Sequence, residues 1–496
     1  MSDQGWADAA LGMDITSFGF IAFVAAVVVA FHLVPSRGWR TAVLSLANAA
    51  FIATYINKPQ QIIPLLAFLL LGYLAIEAVR RRRSALAAAI SIGAVLTIYV
   101  YLKRFSFLGN NYTLHFGYLI VGLSYILFRV LHLVIDARGG DIGEPIKPLA
   151  FLNYTCNFLT FVSGPIQQYQ DFARDYPALS DGTKDRLTDE FVFRAFRRII
   201  VGYGKVIIVS GIADTLFLRV SERILAPYPS PAGTHLVAAY AISAIAYTIY
   251  LYFNFSGYMD IVTGVGRLLG QDLPENFNKP FLARDFLEFW TRWHMTLSQW
   301  FKTYLFNPLM GMLIDRFPQP VMVPYLGVTA FFVTFFVMGV WHGTTPVFAI
   351  YGLLMGAGAS INKLWQLMLI ARIGRRQYRE IGERQLYAYA CRGLTCSFFA
   401  IGITCLWVNI DQLRRLWGSL GFAGLAGTAL LIAVVCSFVM FLQDIVVRTA
   451  RTWLAWPAIF AEHPVFGNVW SAAQIVVIVM VSTFFHKTPE FVYRAF

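Results

Sequence analysis

Charged side chains are scarce in this chain. Only 14% of its 496 residues are Asp, Glu, Lys or Arg, whereas 58% are hydrophobic and the mean hydropathy is +0.60. A soluble domain of ordinary composition carries about 25% charged residues. The shortage of charge therefore excludes a soluble globular protein and indicates a chain that crosses a membrane several times.

Long apolar runs recur along the whole sequence. A bilayer core of roughly 30 Å needs about 20 mainly apolar residues per helix, and about a dozen such stretches are present. Backbone groups in lipid are satisfied only in helices or closed barrels, so the predicted fold class is all-α, a polytopic integral membrane protein with transmembrane or re-entrant helices. The predicted spans are 16–34, 62–79, 85–102, 118–135, 148–162, 199–217, 236–253, 321–340, 347–369, 389–408, 425–441 and 469–485, with a weaker one at 41–56.

Basic residues are absent before the first apolar run, where MSDQGWADAALGMD carries aspartates only. A signal peptide begins with a positive region, so we expect the first helix to remain uncleaved. The positive-inside rule assigns the basic loops at 36–40, 80–83 and 371–380 to the cytoplasm, which places the amino terminus outside. We attribute the net charge of +13 to this topology and to anionic lipids, and not to nucleic-acid binding.

Cysteine is rare, and several catalytic signatures are missing. The five cysteines lie in apolar runs without CxxC spacing, so they are interpreted as buried apolar residues and not as metal ligands. The sequence contains no GxSxG, HExxH or P-loop motif. The ionisable groups within apolar segments, which are costly in lipid, are therefore the candidates for function.

Two of the eight histidines stand out by their context. His342 lies in FFVMGVWHGTTPVFAIYG between two apolar runs, and its neighbours Gly339 and Gly343 allow close backbone approach. If 371–380 is cytoplasmic, His342 lies at the outer turn, whereas His294 in FWTRWHMTLSQWF approaches from the inner side. Both then meet one transmembrane passage, where a histidine can take the proton of an attacking hydroxyl. A buried structural histidine remains the alternative for His342.

Two other polar segments have less specific interpretations. His132 lies about one helical turn from Arg129 and Asp136, a spacing that favours a structural polar cluster. The segment 189–198 is amphipathic, and two interpretations stay open: a helix lying in the membrane interface, or a packed connector between spans.

At RWH and WHG the sequence resembles the membrane-bound O-acyltransferase (MBOAT) family, specifically the bacterial branch of alginate O-acetylation proteins and D-alanyl-lipoteichoic acid acyltransferases. The long matching run is YFNFSGYMDIVTGVGRLLGQDLPENFNKPFLARDFLEFWTRWHMTLSQWFKTYLFNPL at 252–309, followed by MGVWHG at 338–343. Further matches are VGLSYILFRVLHLVID at 121–136, FVSGPIQQYQDF at 161–172 and the terminal FVYRAF.

This resemblance implies a single transmembrane domain over residues 1–496, built as a funnel of helices around a thin tunnel. An acyl group held as a cytoplasmic thioester would pass through it to a hydroxyl of an extracytoplasmic carbohydrate. His342 corresponds to the family's essential histidine and His294 to its second histidine. The resemblance places Trp290, Arg292, Trp293 and Trp300 as an interfacial collar at the inner mouth, and Trp341, Gly343, Asn276 and Asn278 as supporting tunnel residues.

The donor, acceptor and partners also rest on the resemblance. WHMTLSQWF and FNKPF lean towards the D-alanyl branch, whereas FSGYMD and GRLLG lean towards the acetyl branch, which we favour. The expected donor is acetyl-CoA or an acyl carrier protein, with no bound cofactor or metal, and the expected partner is a separate extracytoplasmic transferase at a bacterial cytoplasmic membrane. The sequence departs from the family pattern at TTPVF after WHG and at Met355.

A transporter or flippase is the competing class of function. Intramembrane histidines and broken helices also mark substrate paths through transporters. Inverted repeats would favour that class, and none is visible in the sequence.

Overall fold

The computed structural model describes residues 12–109, 114, 116–118, 120–178, 188–226, 232–453 and 464–484. These residues are folded into helices and connecting turns without any strand, which confirms the all-α prediction. The amino terminus, predicted to be outside, and the terminal FVYRAF lie beyond the described residues.

The helices follow one another with short connections. They are α1 (Phe18–Leu33), α2 (Arg37–Ala53), α3 (Ile63–Arg82), α4 (Ala85–Lys103), α5 (Leu123–Gly139), α6 (Pro148–Thr155), α7 (Tyr169–Ala178), α8 (Asp189–Gly204), α9 (Gly211–Leu225), α10 (Gly233–Leu268), α11 (Phe286–Trp290), α12 (Met295–Phe301), α13 (Asn307–Arg316), α14 (Val323–Trp341), α15 (Val347–Glu383), α16 (Gln385–Gly402), α17 (Ile410–Trp453) and α18 (Pro464–Phe484).

Eight helical segments of the described residues are long and apolar enough to cross a membrane, so this is a multi-pass membrane protein. They are Pro59–Arg82, Ala85–Lys103, Asp189–Leu225, Gly233–Leu268, Val323–Trp341, Val347–Glu383, Gln385–Leu406 and Ile410–Thr449, and each overlaps a predicted span. The predicted spans at 16–34 and 469–485 correspond to the shorter apolar helices Phe18–Leu33 and Val469–Ser482. Those at 41–56 and 118–135 correspond to α2 and α5, which have 17 residues each.

The predicted span at 148–162 is wrong. α6 has only eight residues and ends at Thr155. The buried Arg129 donates from Nη1 to the carbonyl oxygens of Tyr154 at 3.2 Å and Thr155 at 2.6 Å, and from Nη2 to that of Thr160 at 2.6 Å. The Arg129 side chain supplies the hydrogen bonds that a continuing helix would otherwise donate to these carbonyl oxygens. The chain can therefore turn in a buried place where hydropathy alone predicts a continuous helix.

The structural polar cluster predicted around His132 is confirmed. His132 Nδ1 lies 3.1 Å from Asp136 Oδ2, and its Nε2 lies 2.8 Å from the hydroxyl of Tyr154. Gln170 Nε2 donates to the same Asp136 oxygen at 2.8 Å. The cluster therefore fastens α5 to both α6 and α7.

The chain separates into two compact units by packing, and the single domain expected from the sequence stays a prediction. Among the described residues, the first unit comprises those within 12–203 and 255–275, and the second comprises those within 204–254 and 276–484. In the first unit α3, α4 and α5 pack against one another. An aromatic contact of 5.5 Å between Phe23 and Phe158 attaches α1 to the turn after α6.

The amphipathic segment 189–198 forms the start of a long helix. α8 continues through the π-helical turn Lys205–Ser210 into α9. Within the first unit, Arg198 forms ion pairs with Asp260, at 3.0 Å, and with Glu275. Of the two interpretations left open by the sequence, these contacts favour a packed segment over a helix lying alone in the interface.

Glycines bring α14 and α15 of the second unit into close contact. A Cβ on Gly339 would overlap the backbone of Gly352, and one on Gly356 would lie 2.8 Å from the Phe332 carbonyl oxygen. Small residues of this kind let helix backbones approach closely in a membrane. The crossing confirms the predicted close approach at Gly339, and it fixes the end of α14 against α15.

Candidate active site

His294 lies in the turn between α11 and α12 and is only 1% exposed. Its backbone is left-handed, with φ 44° and ψ 53°, a region that residues other than glycine seldom adopt. Such a conformation persists only where the surrounding contacts enforce it, and these positions cluster at functional sites. The left-handed backbone of His294 is therefore a structural indication that this residue has a functional role.

Asn276 holds the ring of His294. Its Oδ1 accepts hydrogen bonds from the backbone N–H of Thr296 at 3.1 Å and from the Thr296 hydroxyl at 2.9 Å, and it lies 3.1 Å from His294 Nδ1. A backbone N–H can only donate, so this oxygen assignment of the amide is fixed by the network. His294 Nδ1 then donates to Oδ1, and Nε2 carries the lone pair of the neutral ring.

The amide nitrogen of Asn276 is a buried donor beside His294. Asn276 is 1% exposed, and its Nδ2 has no hydrogen-bond partner among the described residues. Leaving a buried donor unsatisfied costs about 1–3 kcal/mol. A carbonyl oxygen brought in by a substrate would remove that cost.

Trp290 and Trp293 are buried in an aromatic cluster, at 3% and 2% exposed. Trp293 stacks on Phe289 with the ring centroids 5.5 Å apart and meets Phe399 of α16 at 4.8 Å. Trp290 meets Phe335 of α14 at 5.2 Å. The two rings therefore differ from the expected interfacial collar, because α14 and α16 cover them and they support the histidine turn from within the fold.

The remaining predicted residues of this region reach the surface. Arg292 is partly exposed and forms an ion pair with Glu288 at 2.7 Å. The side chain of Asn278 is exposed, and its backbone N–H donates to the carbonyl of Arg292 at 2.9 Å. Trp300 is partly exposed and contacts Tyr304 at 5.2 Å. The structure thus brings Asn276, but not the side chain of Asn278, into the buried site.

His342 ends α14 and is 3% exposed. Its ring lies 4.9 Å from that of Trp341 and 5.5 Å from that of Tyr351 in α15. A Cβ on the following residue, Gly343, would overlap the ring of Phe348, so the turn between the two helices needs glycine there. The aromatic surroundings hold the imidazole in an apolar environment.

His294 and His342 are both buried within the second unit. Burial lowers the pKa of His294 well below its ordinary value, and His342 lowers it further because two imidazolium charges would repel each other. Burial also lowers the pKa of His342, which follows the spanning helix Val323–Trp341. Burial therefore favours the neutral form of both rings. A neutral imidazole has the lone pair that a general base requires.

The region around both histidines matches a known family. The model of MBOAT, the membrane-bound O-acyltransferase family, matches residues 52–382, which is more than half of the chain. The chain belongs to this family. Every site residue predicted from the sequence lies inside the matched region of this MBOAT chain.

The curated relatives of this chain include proteins named as D-alanyltransferases and proteins named as O-acetylases. The MBOAT chain is 32% identical over 236 residues to the teichoic acid D-alanyltransferase of Bacillus subtilis (strain 168), which covers 47% of this chain and 56% of the relative. It is 28% identical over 243 residues to the probable alginate O-acetylase AlgI of Pseudomonas fluorescens, which covers 49% of this chain and 44% of the relative. The chain thus matches about half the length of these relatives.

Sequence analysis did not single out Thr296 or Tyr351. Thr296 stands two residues after His294 at the start of α12, and a hydroxyl near a helix start is a known signal for a local hydrogen bond. Tyr351 has no local signal, because its contact with His342 depends on how α14 and α15 cross.

Proposed function

We propose that the protein is a membrane O-acyltransferase. It moves an acyl group, with acetyl favoured, from a cytoplasmic thioester across the membrane to hydroxyls of an extracytoplasmic polysaccharide or to a partner transferase. The observation that carries this proposal is the presence of two buried imidazoles, those of His294 and His342, in a member of an acyltransferase family.

The acceptor hydroxyl is a weak nucleophile until a base takes its proton. In our proposal His342 accepts that proton while the hydroxyl oxygen attacks the carbonyl carbon of the thioester. A C–O bond forms and the C–S bond breaks. The departing sulfur then takes the proton from His342, so the products are an ester and a free thiol. His294 supports the donor at the inner end of the passage.

Asn276 has two parts in this mechanism. Its Oδ1 holds the tautomer of His294 in which Nε2 bears the lone pair. Its buried Nδ2 suits the thioester carbonyl oxygen, which gains negative charge as the hydroxyl attacks. A donor aimed at such an oxygen typically contributes about 3 kcal/mol to the barrier reduction.

The environment of the histidines supports an acetyl donor over a D-alanyl donor. The ring of His342 lies against the rings of Trp341 and Tyr351, so its surroundings are apolar. An acetyl group is neutral, whereas a D-alanyl thioester carries an ammonium that is costly to bury without a partner. D-Alanyl transfer from a carrier protein to a teichoic-acid-like polymer is the alternative, supported by the name of the relative at 32% identity.

The location and partners of the reaction are part of the same proposal. The relatives are bacterial proteins named for alginate or teichoic acid, which supports a bacterial cytoplasmic membrane and a carbohydrate acceptor outside it. The donor is acetyl-CoA or an acyl carrier protein, and an extracytoplasmic transferase is the proposed partner. With 371–380 in the cytoplasm the amino terminus is outside.

Purified protein in liposomes tests the proposal. Acetyl-CoA, acetyl carrier protein and D-alanyl carrier protein are offered separately on the side of the basic loops, with polysaccharide on the other side. We expect loss of the acetyl thioester and acetylated polysaccharide. Consumption of D-alanyl carrier protein alone would make the acetyl assignment wrong. Movement of solute without acyl loss would replace the enzyme with a transporter.

A further inference from the structure

A cleft of about 840 Å³ opens in the second unit between α15, α16 and the start of α11. Two parts of α15 line it, from Gly358 to Trp365 and from Arg375 to Gly382. The third wall is the part of α16 from Ala388 to Phe398. The proposed mechanism uses none of these side chains.

Gly374 shapes this cleft. Its φ of 80° and ψ of 159° interrupt α15 in a conformation that only glycine adopts readily. The helix changes direction there. Arg375 and Arg379 from beyond the break consequently line the same cavity as Trp365 from before it.

One wall of the cleft faces the lipid. Ile361 and Leu394 are both 64% exposed, and Trp365 is 51% exposed. All three lie on α15 and α16, which are long and apolar enough to span a membrane, so we expect their exposed surface to meet acyl chains. Tryptophan is enriched where the apolar core meets the headgroups, and Trp365 marks that level of the cleft.

Three basic side chains also line the cleft. Arg284, Arg375 and Arg379 line it, and none of them forms an ion pair with any of the residues described. A guanidinium presents several donors in a planar fork that matches the oxygens of a phosphate.

The two carboxylates that line the cleft are already bound. Asp285 caps α11 by accepting from the backbone N–H of Glu288 at 2.8 Å, and its other oxygen accepts from Gln366 at 3.0 Å. Glu288 forms the ion pair with Arg292 at 2.7 Å. Neither carboxylate forms an ion pair with Arg284, Arg375 or Arg379, so these arginines are available to an anionic ligand.

We propose that this cleft binds an anionic phospholipid. The phosphate lies between Arg284, Arg375 and Arg379, and an acyl chain lies along Trp365 and Leu394. Charge complementarity selects the acidic headgroup, and the lipid-facing wall admits the chain from the bilayer. A donor such as coenzyme A also carries phosphates, but its arm is polar along its length and does not match an apolar wall open to lipid.

Lipid retention tests this inference without any acyl transfer. Protein in neutral detergent is incubated with phosphatidylglycerol or with phosphatidylcholine, and bound lipids are counted by native mass spectrometry. We expect the wild type to retain phosphatidylglycerol over phosphatidylcholine, and the double variant Arg375→Gln/Arg379→Gln to bind it about tenfold more weakly, because each basic contact adds a substantial share of the headgroup affinity.

Arg376→Gln is the matched control. Arg376 belongs to the same basic segment but pairs with Glu380 at 3.0 Å and does not line the cleft. This variant should retain phosphatidylglycerol like the wild type. Equal binding of both lipids, or unchanged binding by the double variant, would overturn the proposal. Displacement of phosphatidylglycerol by coenzyme A would assign the cleft to the donor, and displacement by inorganic phosphate would assign it to a free anion.

A second measurement locates the acyl chain. In neutral detergent, where the only lipid present is the phosphatidylglycerol that the protein retains, bromine atoms in its chains quench nearby tryptophan fluorescence. The quenched fraction should fall in Trp365→Phe and stay unchanged in Trp300→Phe, a residue outside the cleft. Equal quenching in both variants would show that the chain does not enter the cleft. Because neither readout involves acyl transfer, this inference and the proposed enzyme activity can fail independently.

Discussion

The proton acceptor is the residue on which the proposed transfer depends most. His342→Ala should lower acyl transfer by about 10²–10⁴-fold, because a positioned general base contributes that much. His294→Ala should lower it less, chiefly by weakening engagement of the donor. Transfer is measured at matched abundance in the membrane.

His235→Ala is the control for these two variants, since His235 is exposed at the start of α10. It should transfer at the wild-type rate. Near-normal turnover by His342→Ala would remove this base from the mechanism, and a larger loss in His294→Ala would exchange the two roles.

Asn276 offers a test through the pH profile. Asn276→Asp keeps an acceptor for Thr296 and places a carboxylate against Nδ1 of His294, which stabilises the imidazolium and raises its pKa. We expect His294 to support the donor only in its neutral form. Burial keeps its pKa well below the ordinary value in the wild type, so the acid limb of kcat/KM that it causes should lie below about pH 6.5. In Asn276→Asp the same limb should move to higher pH.

Asn276→Ala separates positioning from folding. It removes the acceptor of three buried donors, so thermal stability and transfer should both fall without any shift of the acid limb. If the limb of Asn276→Asp coincides with that of the wild type, Asn276 does not act through His294.

The crossing of α14 and α15 positions His342. Adding one methyl group at Gly339 tests whether transfer depends on this crossing. Gly339→Ala should destabilise the protein by about 1–3 kcal/mol and reduce transfer, because its Cβ overlaps the backbone of Gly352. Gly327→Ala in the same helix is the matched control, since nothing lies within 4 Å of its Cβ. Thermal unfolding in detergent compares the two. Equal midpoints would show that the crossing tolerates a larger residue.

Hydropathy was sufficient for most helices but not for the segment after α5. It predicted the eight spanning segments because each is stabilised by its own backbone and by lipid. It failed at 148–162, where the side chain of Arg129 from a different helix replaces helical hydrogen bonds. Contacts between distant residues have no signature in a local window of sequence.

In the candidate site, too, some features can be predicted from the sequence and others cannot. RWH and WHG mark both histidines, and the glycines beside His342 foretell the close packing. The left-handed backbone of His294, and the triple acceptor role of Asn276, arise only when the turn between α11 and α12 folds. Sequence therefore identifies the reactive groups, whereas their orientation and tautomer require the structure.

The whole molecule must have the predicted orientation for the two histidines to serve one passage. α15 joins Thr345, just before it, to Arg376, near its end, and both residues are exposed. With Thr345→Cys and Arg376→Cys, a membrane-impermeant maleimide should label Thr345→Cys only from outside and Arg376→Cys only from the cytoplasm. Labelling of Arg376→Cys from outside would put His342 on the wrong face and contradict the proposed direction of transfer.

The buried Arg129 also bears on how the chain enters the membrane. The ribosome makes Arg129 25 to 31 residues before Tyr154, Thr155 and Thr160, whose carbonyls surround it. A lone arginine at the centre of a helix in lipid costs about 2.5–3.5 kcal/mol on the insertion scale. α5 is therefore a poor candidate for release into the bilayer until α6 and the turn after it have been synthesised. The order of synthesis makes these elements one unit of insertion, and a chain stalled between them would present an uncompensated guanidinium to the cell's quality-control proteases.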